Sequence, residues 1–245
     1  MIPKVIHYCW FGGKPLPESA VRYIESWKKH FPDYEIVQWN ESNFDVESTA
    51  YTKEAYQAGK YAFVSDYARF WVLYNYGGVY FDTDVEVIAP MDDILEKGPF
   101  MGCERTFAGK YAVAPGLGIA AVPKMEIYEQ LLKMYDGIRF LNEDGSLNQV
   151  TIVSYTTELL CRYGFVAEDR IQHCAGMDIY PVEYFCPLDY RTGVLTVTEN
   201  TRTIHHYAAS WHSTKDKFIR FKRKIFSEEQ IRGISRFLDR FRKRR

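Results

Sequence analysis

Ser65-Asp66-Tyr67-Ala68-Arg69-Phe70-Trp71-Val72-Leu73-Tyr74-Asn75-Tyr76-Gly77-Gly78-Val79-Tyr80-Phe81-Asp82-Thr83-Asp84 is the stretch on which the fold turns. Ser65 is a candidate helix N-cap, Asp66 places an acidic residue in the first turn, and Gly77-Gly78 closes the apolar run. A helix of about three turns is therefore predicted between them. Val79-Tyr80-Phe81 reads as a short buried strand that ends at Asp82-Thr83-Asp84, with Val85 to Ile88 continuing before Pro90. A helix feeding directly into such a strand is the repeating unit of an α/β fold, and ligands collect beyond the carboxyl ends of its strands.

Working outward, Val5-Ile6-His7-Tyr8-Cys9-Trp10 reads as a buried first strand, closed by Gly12-Gly13, Pro15 and Pro17. A helix is expected from roughly Glu18 to His30, then a second strand over Tyr34 to Trp39. The fold class is α/β with a largely parallel central sheet. Pro115 to Val122 is a small-residue strand where a backbone or a ligand comes close. Helices follow from about Lys124 to Tyr135 and from about Asn148 to Arg162. With no internal repeat, residues 1–212 form one domain and residues 213–245 a basic helical tail.

Of the 245 residues, 47% are hydrophobic, enough for an ordinary core. Lys and Arg total 31 against 32 Asp and Glu, so the net charge of -1 removes any whole-chain case for a nucleic-acid binder. The charge is polarised, however: Lys215 to Arg245 hold 13 basic and 4 acidic residues, net +9, which leaves net -10 on residues 1–214. Within the tail, Ser227-Glu228-Glu229-Gln230 matches a capping box, and Ile231, Ile234, Phe237, Leu238 and Phe241 repeat at helical spacing. A basic amphipathic helix suits an anionic membrane surface; packing of the same stripe on the enzyme body is the plainer alternative. Five cysteines without a C-x-x-C pair suggest reduced thiols. The opening Met1-Ile2-Pro3-Lys4 has no signal-peptide pattern, and no apolar run is long enough to span a bilayer. The expected location is cytoplasmic, peripheral on the inner face of the membrane if the tail binds there.

The two carboxylates of Asp82 and Asp84 can share a hard divalent cation, whose remaining positions go to water and ligand phosphate oxygens. Such an ion stabilises a departing diphosphate. A D-x-D triplet also occurs at strand ends for solubility or as a cap. Asp66 and Arg69 stand at i and i+3 on one helix face, positioned to meet a polar ligand together or to form a local ion pair. His7, in a buried strand, reads as a core residue, and His30, His173 and His212 lack a metal-spacing partner.

The string from Ser65 to Asp84 closely resembles the signature of the DXD-containing sugar transferases, glycosyltransferase family 32, which includes fungal Golgi mannosyltransferases and bacterial capsular polysaccharide synthesis proteins. The resemblance extends to Ile2 through Gly13, similar to the family's first strand and nucleotide loop, and to His205-His206-Tyr207-Ala208-Ala209-Ser210-Trp211, similar to its closing motif. It implies a GT-A fold, a Mn or Mg ion, a UDP- or GDP-linked sugar donor and retention of anomeric configuration. Carried over, Asp82 and Asp84 serve metal and diphosphate, with His206, or its neighbour His205, completing the metal shell. Asp66 and Arg69 hold sugar hydroxyls. His7 and Trp10 fall in the nucleotide-binding block, and Ser210 and Trp211 look like donor-phosphate contacts. Asn148 is similar to an amide near the anomeric carbon, though an Asn there is also a helix cap. Ser154 to Thr157 stands where many members have a Gly-Pro pair.

The expected function is therefore transfer of a hexose to a saccharide hydroxyl, the acceptor lipid-linked as one option, in cell-surface polysaccharide synthesis. Two alternatives compete. A haloacid-dehalogenase-type phosphotransferase also places D-x-D after a buried strand, but Glu86 stands where Thr or Val is usual and the triplet normally follows the first strand. The other is a non-catalytic carbohydrate-binding protein on the same fold.

Overall fold

The computed structural model describes residues 1–106 and 108–208; Ser210, Trp211 and the tail lie outside the described residues. The first half alternates β1 Val5–Cys9, α1 Glu18–His30, β2 Glu35–Trp39, α2 Ala50–Gln57, α3 Tyr61–Tyr76, β3 Gly78–Tyr80 and β4 Val85–Val87. A short α4 Asp92–Leu95 leads to β5 Phe100–Arg105, β6 Tyr111–Val113, β7 Ile119–Ala121, α5 Glu126–Asp136 and α6 Ile152–Arg162. The rest is β8 Gln172–Cys174, β9 Met177–Tyr180, α7 Val182–Phe185, the hairpin β10 Leu188–Asp189 and β11 Val194–Leu195, and β12 Thr203–His205.

The main sheet runs β2-β1-β3-β7-β5-β9-β8, with β6 added on β5. β1 pairs in parallel with both β2 and β3, and β5 with β9, while β7 is antiparallel to its neighbours β3 and β5. Three of the seven pairings are parallel and four antiparallel, so the sheet is mixed though five of its eight strands run the same way, with β7 reversed inside it, β6 antiparallel on β5 and β8 antiparallel at its edge. Strand alternation sends Ile6, Tyr8 and Phe81 into one core with Trp27, and Cys9 and Tyr80 into another with Phe70, Leu73 and Tyr128.

Gly78 carries the close approach of β3 to β1: at φ 95°, a Cβ there would lie 2.6 Å from the Val5 carbonyl oxygen. Gly77, also left-handed at φ 66°, caps α3 by donating its N–H to Leu73.

α3 departs from expectation at its start. It begins at Tyr61, and Ser65 is no N-cap: its hydroxyl donates back to the Tyr61 carbonyl from inside the helix. Asp66 and Arg69 therefore sit in mid-helix. The last long helix begins late for a similar reason, since Thr151, not Asn148, accepts the capping N–H of Ser154.

Candidate active site at the end of the third strand

β3 stops at Tyr80, two residues before Asp82, and a tight turn closed by Val85 N–H on the Asp82 carbonyl (3.0 Å) carries the chain into β4. β4 lies outside the main sheet and pairs antiparallel with β12, with His205 opposite Val85 and Thr203 opposite Val87. The Trp27 indole fastens this ribbon to α1 by donating to the Val85 carbonyl (2.8 Å). A turn and a strand 120 residues apart thus meet at the carboxyl edge of β1 and β3.

Arg69 reaches this edge from α3 and is 4% exposed. Its Nη2 donates to Asp66 Oδ1 at 2.7 Å and approaches Asp82 Oδ1 at 3.3 Å, while its Nε donates to the Ser65 carbonyl. The Tyr80 hydroxyl donates to Asp82 Oδ1 at 3.0 Å, beneath the guanidinium. Asp82 Oδ2 lies over Gly116, where a Cβ would come within 2.1 Å of it. Burial, opposed by Arg69 and reinforced by the charge of Asp82, pushes the Asp66 carboxyl up to about 7. Burial and then the Asp66 charge also raise the hydroxyls of Tyr51 and Tyr135, so both stand within electrostatic reach of Asp66.

Asp84 has a separate set of partners. His205 Nε2 lies 3.0 Å from its Oδ1, and the Ala208 N–H donates to its Oδ2 at 2.8 Å. Burial alone would raise this carboxyl, but His205 and the Ala208 N–H hold it down at about 2. One ligand atom from each of Asp82, Asp84 and His205 falls within 4.8 Å of the others. Two carboxylates and one imidazole fit a divalent cation of the manganese kind, and His205 Nδ1 is buried without a hydrogen-bond partner.

Of the expected residues, Asp66, Arg69, Asp82 and Asp84 are brought together. The imidazole beside the aspartates is that of His205; His206 points elsewhere, its Nε2 on Glu86 (2.8 Å) and its ring stacked on Tyr23 at 4.6 Å. Strand alternation separates the two, since His205 shares its face with the fully buried Thr203. Trp10 follows β1 directly, at the same sheet edge as Asp82, half-buried, with its indole donating to the Lys14 carbonyl.

His7 is corrected. It is 3% exposed and faces away from the edge, its Nδ1 accepting from the Trp39 indole (3.1 Å) and its Nε2 donating to the Gly77 carbonyl (3.0 Å). With both nitrogens used, it has nothing left for a nucleotide. Asn148 lines a groove of about 360 Å³ with Arg139 and Tyr155, its amide donating to the Arg139 carbonyl. Gly116, Tyr80 and Glu104 were not singled out as site residues. Only Gly116 carried a signal, in its small-residue strand; Glu104 stands within the electrostatic reach of His205, half-buried, with its carboxyl raised by desolvation.

Residues 17–101 match the family described as the glycosyltransferase sugar-binding region containing the DXD motif. That stretch is similar to the sugar-binding region of the DXD sugar transferases. That segment includes Asp66, Arg69, Asp82 and Asp84. The chain is 31% identical over 107 residues to inositol phosphoceramide mannosyltransferase 1 of Schizosaccharomyces pombe, covering 41% of this chain and 33% of the relative. With inositol phosphoceramide mannosyltransferase 3 of the same organism the identity is 36% over 98 residues, covering 38% and 27%. The chain thus spans about a third or less of these curated relatives. Among solved structures, the PaToxG glycosyltransferase superposes with a TM-score of 0.51 at 21% identity over 66% of this chain and 69% of that one, and the shared fold is of the GT-A type.

Proposed function

We propose that this protein is a metal-dependent glycosyltransferase that moves a hexose, with retention, from a nucleotide-diphosphate donor to a saccharide hydroxyl. The observation that carries the reading is the convergence of Asp82, Asp84 and His205 beside the buried Arg69–Asp66 pair. These three residues would hold the divalent ion, which when bound neutralises the diphosphate as it leaves. Asp84, ionised down to about 2, stands ready as an anionic ligand across the neutral range. Arg69 fixes Asp82 against Tyr80, so the site is organised before donor arrives. Asp66 offers a carboxyl that accepts hydrogen bonds from sugar hydroxyls when ionised and donates one when protonated.

Mannose is the first sugar to test, because two relatives are named mannosyltransferases, and GDP or UDP the first bases. A phosphoceramide in those names supports a lipid-linked acceptor. Among the described residues no helix is long and apolar enough to cross a membrane. The net +9 of residues 215–245 supports a cytoplasmic enzyme held peripherally on an anionic leaflet, in cell-surface polysaccharide assembly.

The test is slow hydrolysis of a panel of GDP- and UDP-sugars with and without manganese. Expected is hydrolysis of one donor that needs manganese, vanishes in a folded Asp84→Ala protein, and falls in Asp66→Asn far more than nucleoside-diphosphate binding does. Manganese-independent turnover, or full activity of Asp84→Ala, refutes the reading.

A further inference from the structure

The β10–β11 hairpin belongs to neither the main sheet nor the catalytic ribbon. Val194, Leu195 and Val197 around its second strand are 58%, 47% and 53% exposed. Isolated exposed aliphatics need no explanation, but three within four residues do. Leu195 pairs with Leu188 and Val194 with Asp189, and neighbouring residues of a strand face opposite ways. Apolar side chains therefore leave the hairpin on both sides, which packing of one face on the body does not require.

The polar groups of the tip are satisfied locally. Asp189 accepts from the Arg191 guanidinium and from the Arg191 and Thr192 N–H groups, and Thr192 Oγ1 accepts the Val194 N–H. The Gly193 N–H donates to the Asp189 carbonyl. A tip tied up in this way enters an apolar phase without stranding these backbone donors. Beside it stands exposed Lys110, in the loop whose Gly109 lies against Arg191 (a Cβ there would be 3.6 Å from Arg191 Nη1), while Arg191 itself is paired with Asp189.

The hairpin is also rooted on the site. The Tyr190 ring, first in the turn, lies 5.1 Å from Tyr207, and Tyr207 lies 4.2 Å from His205. One residue further, at Ala208, the chain leaves the described region toward the basic residues 215–245.

We infer that the β10–β11 hairpin is a lipid-contacting tip, inserting Val194, Leu195 and Val197 into an anionic membrane surface beside the sugar-transfer site. The inference rests on the peripheral-membrane part of the reading above and names the surface that makes the contact. An apolar wedge plus a basic segment supplies the two signals that stable peripheral binding needs. It also places His205 and the metal ligands next to a lipid-linked acceptor.

The experiment is co-sedimentation of the full chain with phosphatidylcholine vesicles, with and without phosphatidylglycerol. It compares wild type, a triple variant with Val194→Ser, Leu195→Ser and Val197→Ser, and a chain ending after Ser213. Expected is salt-sensitive binding of wild type to the anionic vesicles, weakened roughly tenfold in the triple variant with donor hydrolysis in solution unchanged. In a second measurement, Leu195→Trp should shift its added emission to the blue on anionic vesicles and be quenched by brominated acyl chains. If the triple variant binds like wild type and only the shortened chain fails, the membrane reading stands and the hairpin inference is overturned. No binding by the full chain overturns both. A triple variant that melts several degrees lower, with no vesicle binding in wild type, shows instead that the hairpin is covered by its own chain.

Discussion

Substituting His7 by Gln should remove a pH dependence of stability whose size follows from the structure. The imidazole is buried, accepts from the Trp39 indole through Nδ1 and donates to the Gly77 carbonyl through Nε2, so only the neutral form fits. Burial, opposed in part by the Gly77 bond, lowers its pKa from an ordinary 6.5 to about 4. The unfolded chain binds a proton near pH 6.5 and the folded chain only near pH 4, so between these values the unfolded state holds more protons and stability rises with pH. The contribution is complete above about pH 6.5 and lost as pH falls through 4, at about 1.4 kcal/mol per unit and about 3 kcal/mol in all. Gln keeps one donor and one acceptor but does not titrate. Urea unfolding of both proteins from pH 8 to pH 4 is the assay, read as the difference between them, in which other titrating groups cancel. The wild type should lose ground on the variant only below pH 6.5, and its His7 C2–H proton resonance should titrate near 4. A difference that stays constant across the range refutes the assignment.

Gly116→Ala should force Asp82 Oδ2 away from its 2.1 Å clash, costing about 1–3 kcal/mol and most of the manganese affinity seen by calorimetry. Gly137→Ala, which meets nothing within 4 Å, is the control and should bind as wild type does. Arg69→Met leaves two carboxylates without their buried partner and should lose roughly 3–5 kcal/mol in urea unfolding. Adding Asp66→Asn to Arg69→Met should recover part of that loss, and strict additivity counts against the pairing. Glu54→Ala should strand the Phe140 and Leu141 N–H groups and the Arg139 guanidinium, costing about 1–3 kcal/mol and hastening proteolysis at residues 137–148.

What was legible in the sequence is local. Gly77-Gly78 after an apolar helix and before Val79-Tyr80-Phe81 announced both the cap and the buried strand, because each rests on steric rules spanning a few residues. α1 matched its expected limits from Glu18 to His30 for the same reason. The strand at β7 was legible but its reversed direction was not, and the short β8 and β9 were not legible at all, since their three or four residues carry no period and owe their direction to neighbours far along the chain. The start of α3 was misread because Ser65 satisfies itself inside a helix as readily as at its end. The choice between His205 and His206 depended on which face of β12 turns inward, a matter of pairing with β4 rather than of composition.

That pairing explains why two aspartates with one residue between them differ so much. Asp82 ends the helix side of the site, balanced by Arg69 and Tyr80 and resting on Gly116; Asp84 ends the ribbon side, balanced by His205 and the Ala208 N–H. A bare pair of carboxylates this close would repel and shift one another upward. Here each has its own donors, one set from α3 and one from β12, so Asp84 stays ionised even though it is buried. The arrangement also makes the cation site conditional on β12. His205 enters only because His206 donates its backbone N–H to the Asp84 carbonyl (2.9 Å) while its ring is held between Glu86 and Tyr23. Loosening that clasp by Glu86→Ala should therefore weaken manganese binding without touching a ligand, and Tyr23→Ala should do the same from the α1 side. The two effects should be less than additive in a double-mutant cycle, because both act through the one imidazole.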